Sequence, residues 1–184
     1  MENLAQVVIS GSLNKHPTEI EDIRKKMQAH GICILAPEPI NIISNENQFA
    51  RLATDNPHHD DLGIELDFLR NIMNANFIYV ANIGGYVGRS VSAEMGFAII
   101  LGIPIVIASP NITFSHEVPE KVQKILQPHP YHVCSPGKID FLRVNEMMRF
   151  ANVKYETINQ NERATLIGHL NDLLNFLKSN KKPT

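Results

Sequence analysis

Short apolar runs rich in β-branched residues alternate along this chain with segments of helical spacing, and that alternation constrains the fold more than any other feature. Gln6–Ile9, Ile32–Leu35, Phe77–Ala81 and Ile103–Ala108 are such runs, and Tyr131–Cys134 is a shorter fifth. Each is too short for a globular helix and nearly uniform in its apolar character, so each reads as a strand covered on both faces. Between them, Thr18 opens a helix with Glu19 and Glu21 in its first turn, an apolar stripe of Ile20, Ile23 and Met27, and a stop at Gly31. Leu62–Ala75 has helical spacing, with Leu66, Leu69, Ile72 and Met73 on one side. Ser90–Leu101 reads as a helix that turns Val91, Met95, Ala98 and Ile99 inward and stops at Gly102, and Glu117–Leu126 as another.

Strands that alternate with helices predict an α/β fold: a Rossmann-like (flavodoxin-like) doubly wound parallel sheet of about five strands, with helices on both faces. From Ile139 onward the chain reads as a helical C-terminal extension, with one helix near Phe141–Phe150 and another over Asn161–Ser179. The second carries a stripe of Leu166, Leu170, Leu173 and Leu177. Residues 1–138 are therefore expected to form the Rossmann-like domain, and residues 139–184 an extension packed on it. Glu38–Asp61, with Asn41, Asn45, Asn47, Asn56 and Pro57, is polar and poorly periodic. It reads as a long functional connection.

Hydrophobic residues make up 43% of the 184, enough for one real core. Charged residues are 20% and the net charge is −2, which leaves no basic footprint for nucleic acid or a membrane surface. The basic cluster Lys178–Lys182 reads as a solvated tail. Cys33 and Cys134 each sit in or beside an apolar run and read as small core residues, not as a disulfide or zinc framework. The longest apolar stretch, Phe97–Ala108, is broken by Gly102 and Pro104 and is too short to cross a bilayer. Met1-Glu2-Asn3 runs almost directly into a strand, without the basic and apolar regions of a leader. A soluble, cytoplasmic protein is expected.

In a doubly wound sheet, ligands bind beyond the carboxyl ends of the strands, where the crossovers diverge. Ser10-Gly11-Ser12 follows the first strand and Asn82–Ser92 the third, so both lie on that rim. Within GGYVGRSVSAE (residues 84–94), the glycines permit a sharp turn and close approach of a ligand. Ser90 and Ser92 sit where a helix begins, with free amide donors and the positive end of the dipole. Arg89 adds a charge for a phosphate, and Gly88, Asn82 and Tyr86 complete a binding surface in which Tyr86 can stack on a base. The spacing is neither the dinucleotide fingerprint nor a P-loop. Glu94 reads as lying in the first helical turn among small and apolar residues, where a carboxylate costs several kcal/mol unless it has partners or faces a cleft. Facing a cleft, it can attack an anomeric carbon, and its charge stabilises a cation-like ribosyl transition state.

Other polar residues read more plainly. His58-His59-Asp60-Asp61 reads as a solvated loop, because adjacent residues point apart and nothing supplies a clear third metal ligand. His129 and His132 read as surface or sheet-edge residues, Ser109-Pro110-Asn111 as a turn on the rim, Tyr79 as core, and Met147 and Met148 as packing. No metal or cofactor is expected.

The strand FIYVAN, the turn GGYVGRS, the segment SAEMGFA and the strand GIPIVIA, preceded by VVISGS, together resemble the nucleoside 2-deoxyribosyltransferase-like family over residues 6–108. The resemblance implies that Glu94 is the catalytic nucleophile. It also implies an aspartate on the helix before the third strand, near the reacting sugar and base. Asp67 matches that aspartate best, with a slightly longer spacing to the strand, and Glu65 is the second candidate. Members that hydrolyse nucleoside monophosphates hold the phosphate with serines on strand-end loops, and Ser12, Ser90 and Ser92 match these. Gly88 stands where some members carry an acid or a serine. Ser10, Gly11, Ser12 and Leu13 stand where some transferases carry an aromatic residue. The implied activity is that of a nucleoside deoxyribosyltransferase or nucleotide N-glycosidase acting on a small-molecule nucleoside or nucleotide, in a homo-oligomer, with transfer and hydrolysis both open. Two other readings compete with it. Lysine-decarboxylase-like phosphoribohydrolases use a Gly-Gly-x-Gly-Thr turn that this chain lacks, and a nucleotide-binding sensor would bind without turnover.

Overall fold

A computed structural model of the protein describes residues 5–46, 49–141, 146, 149–150 and 157–180. In chain order the elements are β1 (Gln6–Ser10), α1 (Pro17–Ala29), β2 (Cys33–Ala36), β3 (Ile42–Glu46), β4 (Phe49–Leu52), α2 (Asp61–Asn74) and β5 (Phe77–Val80). Then come β6 (Tyr86–Val87), α3 (Arg89–Leu101), β7 (Ile105–Ile107), β8 (Thr113–Phe114), α4 (Glu120–Leu126), β9 (His132–Val133), α5 (Pro136–Ile139) and α6 (Gln160–Ser179).

Five strands form one parallel sheet in the order β2-β1-β5-β7-β9. Counting only these strands, the order is 2-1-3-4-5, that of the flavodoxin-like doubly wound fold. The chain leaves β1 toward β2 and leaves β5 toward β7, so the crossovers part between β1 and β5. Register across that pair sets Val7 beside Phe77 and Ser10 beside Val80, which brings the loops after both strands to one rim.

Both faces of the sheet are covered, which is why its strands read as continuous apolar runs. Val8, Ile78, Val80, Ile105 and Ile107 pack on one face against Leu69 and Ile72 of α2, Met95 of α3, Leu126 of α4 and Leu166 of α6. Val7, Ile9, Phe77, Tyr79 and Val106 pack on the other against Ile20, Ile23 and Met27 of α1 and Ile139 of α5. Each fully buried aliphatic side chain contributes ~1.5–3 kcal/mol. The C-terminal helix α6 starts with a reciprocal cap, Glu162 N–H to Asn159 Oδ1 at 2.9 Å and Asn159 N–H to Glu162 Oε2 at 3.0 Å. It lies on α3, where Leu166 covers Gly96 and where Leu173 and Leu177 cluster with Ala93.

Several elements differ from the sequence reading. Within the supposed connection 38–61, β3 and β4 pair as an antiparallel hairpin, Ile42 beside Leu52 and Glu46 beside Phe49. The hairpin hid because it has little of the alternation that a core-facing strand shows: Ser44, Asn45 and Glu46 are polar and Ile43 is exposed. The turn 82–88 holds a 3-10 turn, Ile83–Gly85, and the short strand β6, which pairs in parallel with β8. α1 starts at Pro17 with no side-chain cap, so Thr18 lies inside it; proline needs no donor in the first turn. α4 begins at Glu120, after Pro119 and not at Glu117. Met73 is exposed, and so is Cys33 in the edge strand β2, whereas Cys134 is buried. Tyr79 is core as expected, its hydroxyl donating to the Cys134 carbonyl at 2.7 Å. His132 lies in the edge strand β9, while His129 packs on Tyr131, and burial pushes its pKa down to about 4. Most of the helix expected near Phe141–Phe150, with Met147 and Met148, lies outside the described residues, as does the end of the lysine tail. Among the described residues no helix is long and apolar enough to cross a membrane.

Candidate active site

The loop after β5 is shaped by backbone that only glycine adopts easily. Gly84 and Gly85 have φ of +62° and +87°, and a Cβ on Gly85 would lie 2.5 Å from the Asn111 carbonyl oxygen. Asn82 fixes the same loop to the one after β7. Its Nδ2 donates to the Ser109 carbonyl and its Oδ1 accepts from the Ser109 N–H, both at 2.9 Å. Asn82 is therefore a buried clamp between two loops and does not line the cleft described below. Ser109 and Asn111 are its partners.

Gly88 in extended backbone precedes α3, which starts at Arg89. That start is one residue earlier than the sequence suggested. It places Glu94 in the second helical turn, not the first, and leaves the first turn without an acid. It also spends the amide of Ser92, which donates to the Gly88 carbonyl at 2.9 Å. The Ser92 hydroxyl donates to the Arg89 carbonyl at 2.7 Å and meets His169 Nε2 of α6 at 2.8 Å. Ser92 is fully buried between α3 and α6, away from the rim. Ser90, one position into the helix, does line the cleft.

The cleft at the switch point has a volume of about 1080 Å³. Gly11, Ser12 and Lys15 line it from the loop after β1, and Tyr86, Gly88, Arg89 and Ser90 from the approach to α3. Glu65, Asp67 and Phe68 of α2, Phe49 of the hairpin, and Phe176 and Leu177 of α6 also line it. Two cations sit on aromatic rings here. Lys15 Nζ is 3.5 Å from the Tyr86 ring centre, and the Arg89 guanidinium is 4.5 Å from that of Phe176. Arg89 also donates to the Asp172 carbonyl at 3.3 Å. A side chain at Gly88 would crowd Tyr86, its Cβ 3.2 Å from the phenol oxygen.

Glu94 lines this cleft although only 6% exposed. Its Oε2 accepts a hydrogen bond from the Ser10 hydroxyl at the end of β1. Burial pushes its pKa up to about 7, against the pull of that bond. Glu65, which lines the same cleft, is 4% exposed, and its Oε1 has no hydrogen-bond partner. Burial first, and then the charge of Glu94, hold the Glu65 carboxyl well above the usual range. Two carboxyls so placed do not both ionise near neutrality. Glu94, which has a hydroxyl donor, is the first of the two to ionise, and Glu65 holds its proton longer.

Asp67 also lines the cleft but is held elsewhere. Its Oδ2 is 2.6 Å from His59 Nδ1 and its Oδ1 is 2.6 Å from Arg70. It is half-exposed, and the carboxyl that the charge of Glu94 pushes up is that of Glu65. His59 thus has a role that the run His58–Asp61 did not suggest. Asp60 from the same run caps α2 by accepting from the Gly63 N–H at 2.9 Å. Glu65 had a legible signal: Glu65, Leu69 and Ile72 are the buried positions of α2, so an acid occupies its apolar stripe. No family model and no curated protein matches this chain.

Proposed function

We propose that this protein cleaves or transfers the N-glycosidic bond of a (deoxy)nucleoside or nucleoside monophosphate, with Glu94 as the nucleophile. One observation carries the reading: a buried carboxylate with a single hydroxyl donor on the floor of the switch-point cleft, opposed by a second buried carboxyl that has no partner on Oε1. Ser10 engages Oε2 and leaves Oε1 of Glu94 to attack the anomeric carbon. As the C–N bond breaks, its electron pair leaves with the base, and Glu65 donates its proton to that base. The product of this step is a glycosyl ester of Glu94. A second base or a water then attacks the anomeric carbon and releases Glu94, while the Glu65 carboxylate recovers a proton from the incoming group.

Asp67, paired with His59 and Arg70, suits contact with sugar hydroxyls at the mouth of the cleft. Gly11, Ser12, Ser90, Lys15 and Arg89 supply donors and positive charge for a 5′-phosphate. The resemblance behind this chemistry also implies a homo-oligomer, which sedimentation of the purified protein would test.

The decisive assay incubates the protein with a panel of nucleosides and 5′-monophosphates and measures free base by chromatography. Wild type should release base, and Glu94→Gln should lose about 10³-fold or more of the rate. A second base added in excess separates transfer, which yields a new nucleoside, from hydrolysis. Absence of release across the panel, or release by Glu94→Gln at the wild-type rate, would overturn the reading.

A further inference from the structure

We propose that His169 is a proton-sensitive latch: as a neutral ring it holds α6 against α3, and its protonation in mildly acidic solution frees α6 and opens the wall of the cleft. The consequence for turnover rests on the Glu94 reading. The undocking itself does not.

The hydrogen bonds define the state of the ring. His169 is 2% exposed at the contact of α6 with α3. The Ser92 hydroxyl gives its proton to the Arg89 carbonyl, so toward His169 it can only accept. The ring therefore carries its proton on Nε2. Nδ1 is buried with no hydrogen-bond partner. A proton added there would create an unpaired N–H and a charge inside a packed interface.

The surroundings set the balance. Arg89 of α3 and Lys121 of α4 oppose a positive ring, while Asp172, on the following turn of α6, and the Arg89 carbonyl favour it. From the hairpin and α2, Phe49 and Leu62 contribute apolar contacts to the neighbouring Ala93–Leu173–Leu177 cluster. Burial is the largest influence and holds His169 below its ordinary 6.5.

The linkage has one sign. Above pH 6.5 the ring is neutral whether α6 is docked or free. Below that, the free helix takes up a proton and the docked one does not. Docking then weakens by up to about tenfold per pH unit, until the pKa of the docked ring is reached. Two consequences for the site follow. α6 supplies Leu173, Phe176 and Leu177 to the cleft, so undocking removes a wall. Ser92 also ties His169 to the first turn of α3, the helix that carries Glu94.

The test is hydrogen exchange of the full chain between about pH 7.5 and about pH 5, corrected for intrinsic rates, on wild type and His169→Gln. Glutamine presents an N–H near the position of Nε2 and does not titrate in this range. In wild type, protection of the α6 amides should fall by up to about tenfold per unit below pH 6.5, while α1 on the opposite face of the sheet keeps its protection. His169→Gln should show no such step. Equal α6 protection at both ends of the range in wild type, or the same acid step in the glutamine variant, overturns the latch. If the variant fails to fold, the His169 ring protons are followed by NMR: a titration coincident with the α6 step supports the latch, and one at a different pH refutes it.

In the base-release assay, KM should rise in acid for wild type and not for His169→Gln, whereas a pH limb shared by both belongs to Glu94 and Glu65. Absence of base release in every form would remove the glycosidic reading and leave the exchange result standing.

Discussion

Replacing Glu94 by glutamine should make the protein more stable, and by an amount that depends on pH. Glutamine keeps an oxygen for the Ser10 hydroxyl and removes the buried charge. A carboxyl held at about 7 in the fold, against 4.5 when free, sets ~3 kcal/mol against its ionised form. Because the folded pKa is the raised one, stability is fully present below 4.5 and is lost as pH rises through 7. The glutamine variant should match wild type near pH 4 and exceed it by ~3 kcal/mol above pH 8. At ~2–4 °C per kcal/mol for a domain of this size, that is a rise of ~6–12 °C in Tm in alkaline buffer. Urea or thermal denaturation across this range, followed by circular dichroism, measures it. A variant destabilised equally at every pH would show that the carboxylate is well served by partners and would refute the desolvation argument. Stability gained as activity is lost is the usual mark of a charged group retained for function.

Glu65→Gln should slow release of bases that need protonation by ~10²–10⁴-fold while sparing glycosides whose leaving group departs without a proton, a contrast read from their relative kcat values. Equal losses on both would remove the acid role. Asn82→Ala breaks both bonds to Ser109 and leaves the half-buried Ser109 N–H and carbonyl without these partners, so it should cost ~1–3 kcal/mol in urea denaturation. A loss below ~0.5 kcal/mol would show that the clamp is not needed.

The parts of the fold legible in the sequence were those buried on two sides. Runs such as FIYVA are apolar throughout because they pack into both layers, and the strand-helix rhythm followed from them. The hairpin β3–β4 was not legible, because it pairs with itself and buries little. Glu94 stood out because a carboxylate inside SAEMGFA demands a reason. The choice between Asp67 and Glu65 turned on which acid faces inward, and spacing to the next strand does not show that. The apolar stripe of α2 does, since Glu65 falls on it. Ser92 misled for a different reason: its partner, His169, is 77 residues away on a helix whose docking no local pattern announces.

The clamp at Asn82 divides the rim into a fixed part and a separable one. With Gly85 pressed against Asn111 and Asn82 bonded to Ser109, the loops after β5 and β7 are fastened to each other. Among the described residues the hairpin has no strand pairing to the five-stranded sheet. On the proposed function, substrate traffic should therefore pass on the hairpin side, and residues 42–46 and 49–52 are where substrate preference can drift or be engineered without disturbing Glu94 and Glu65.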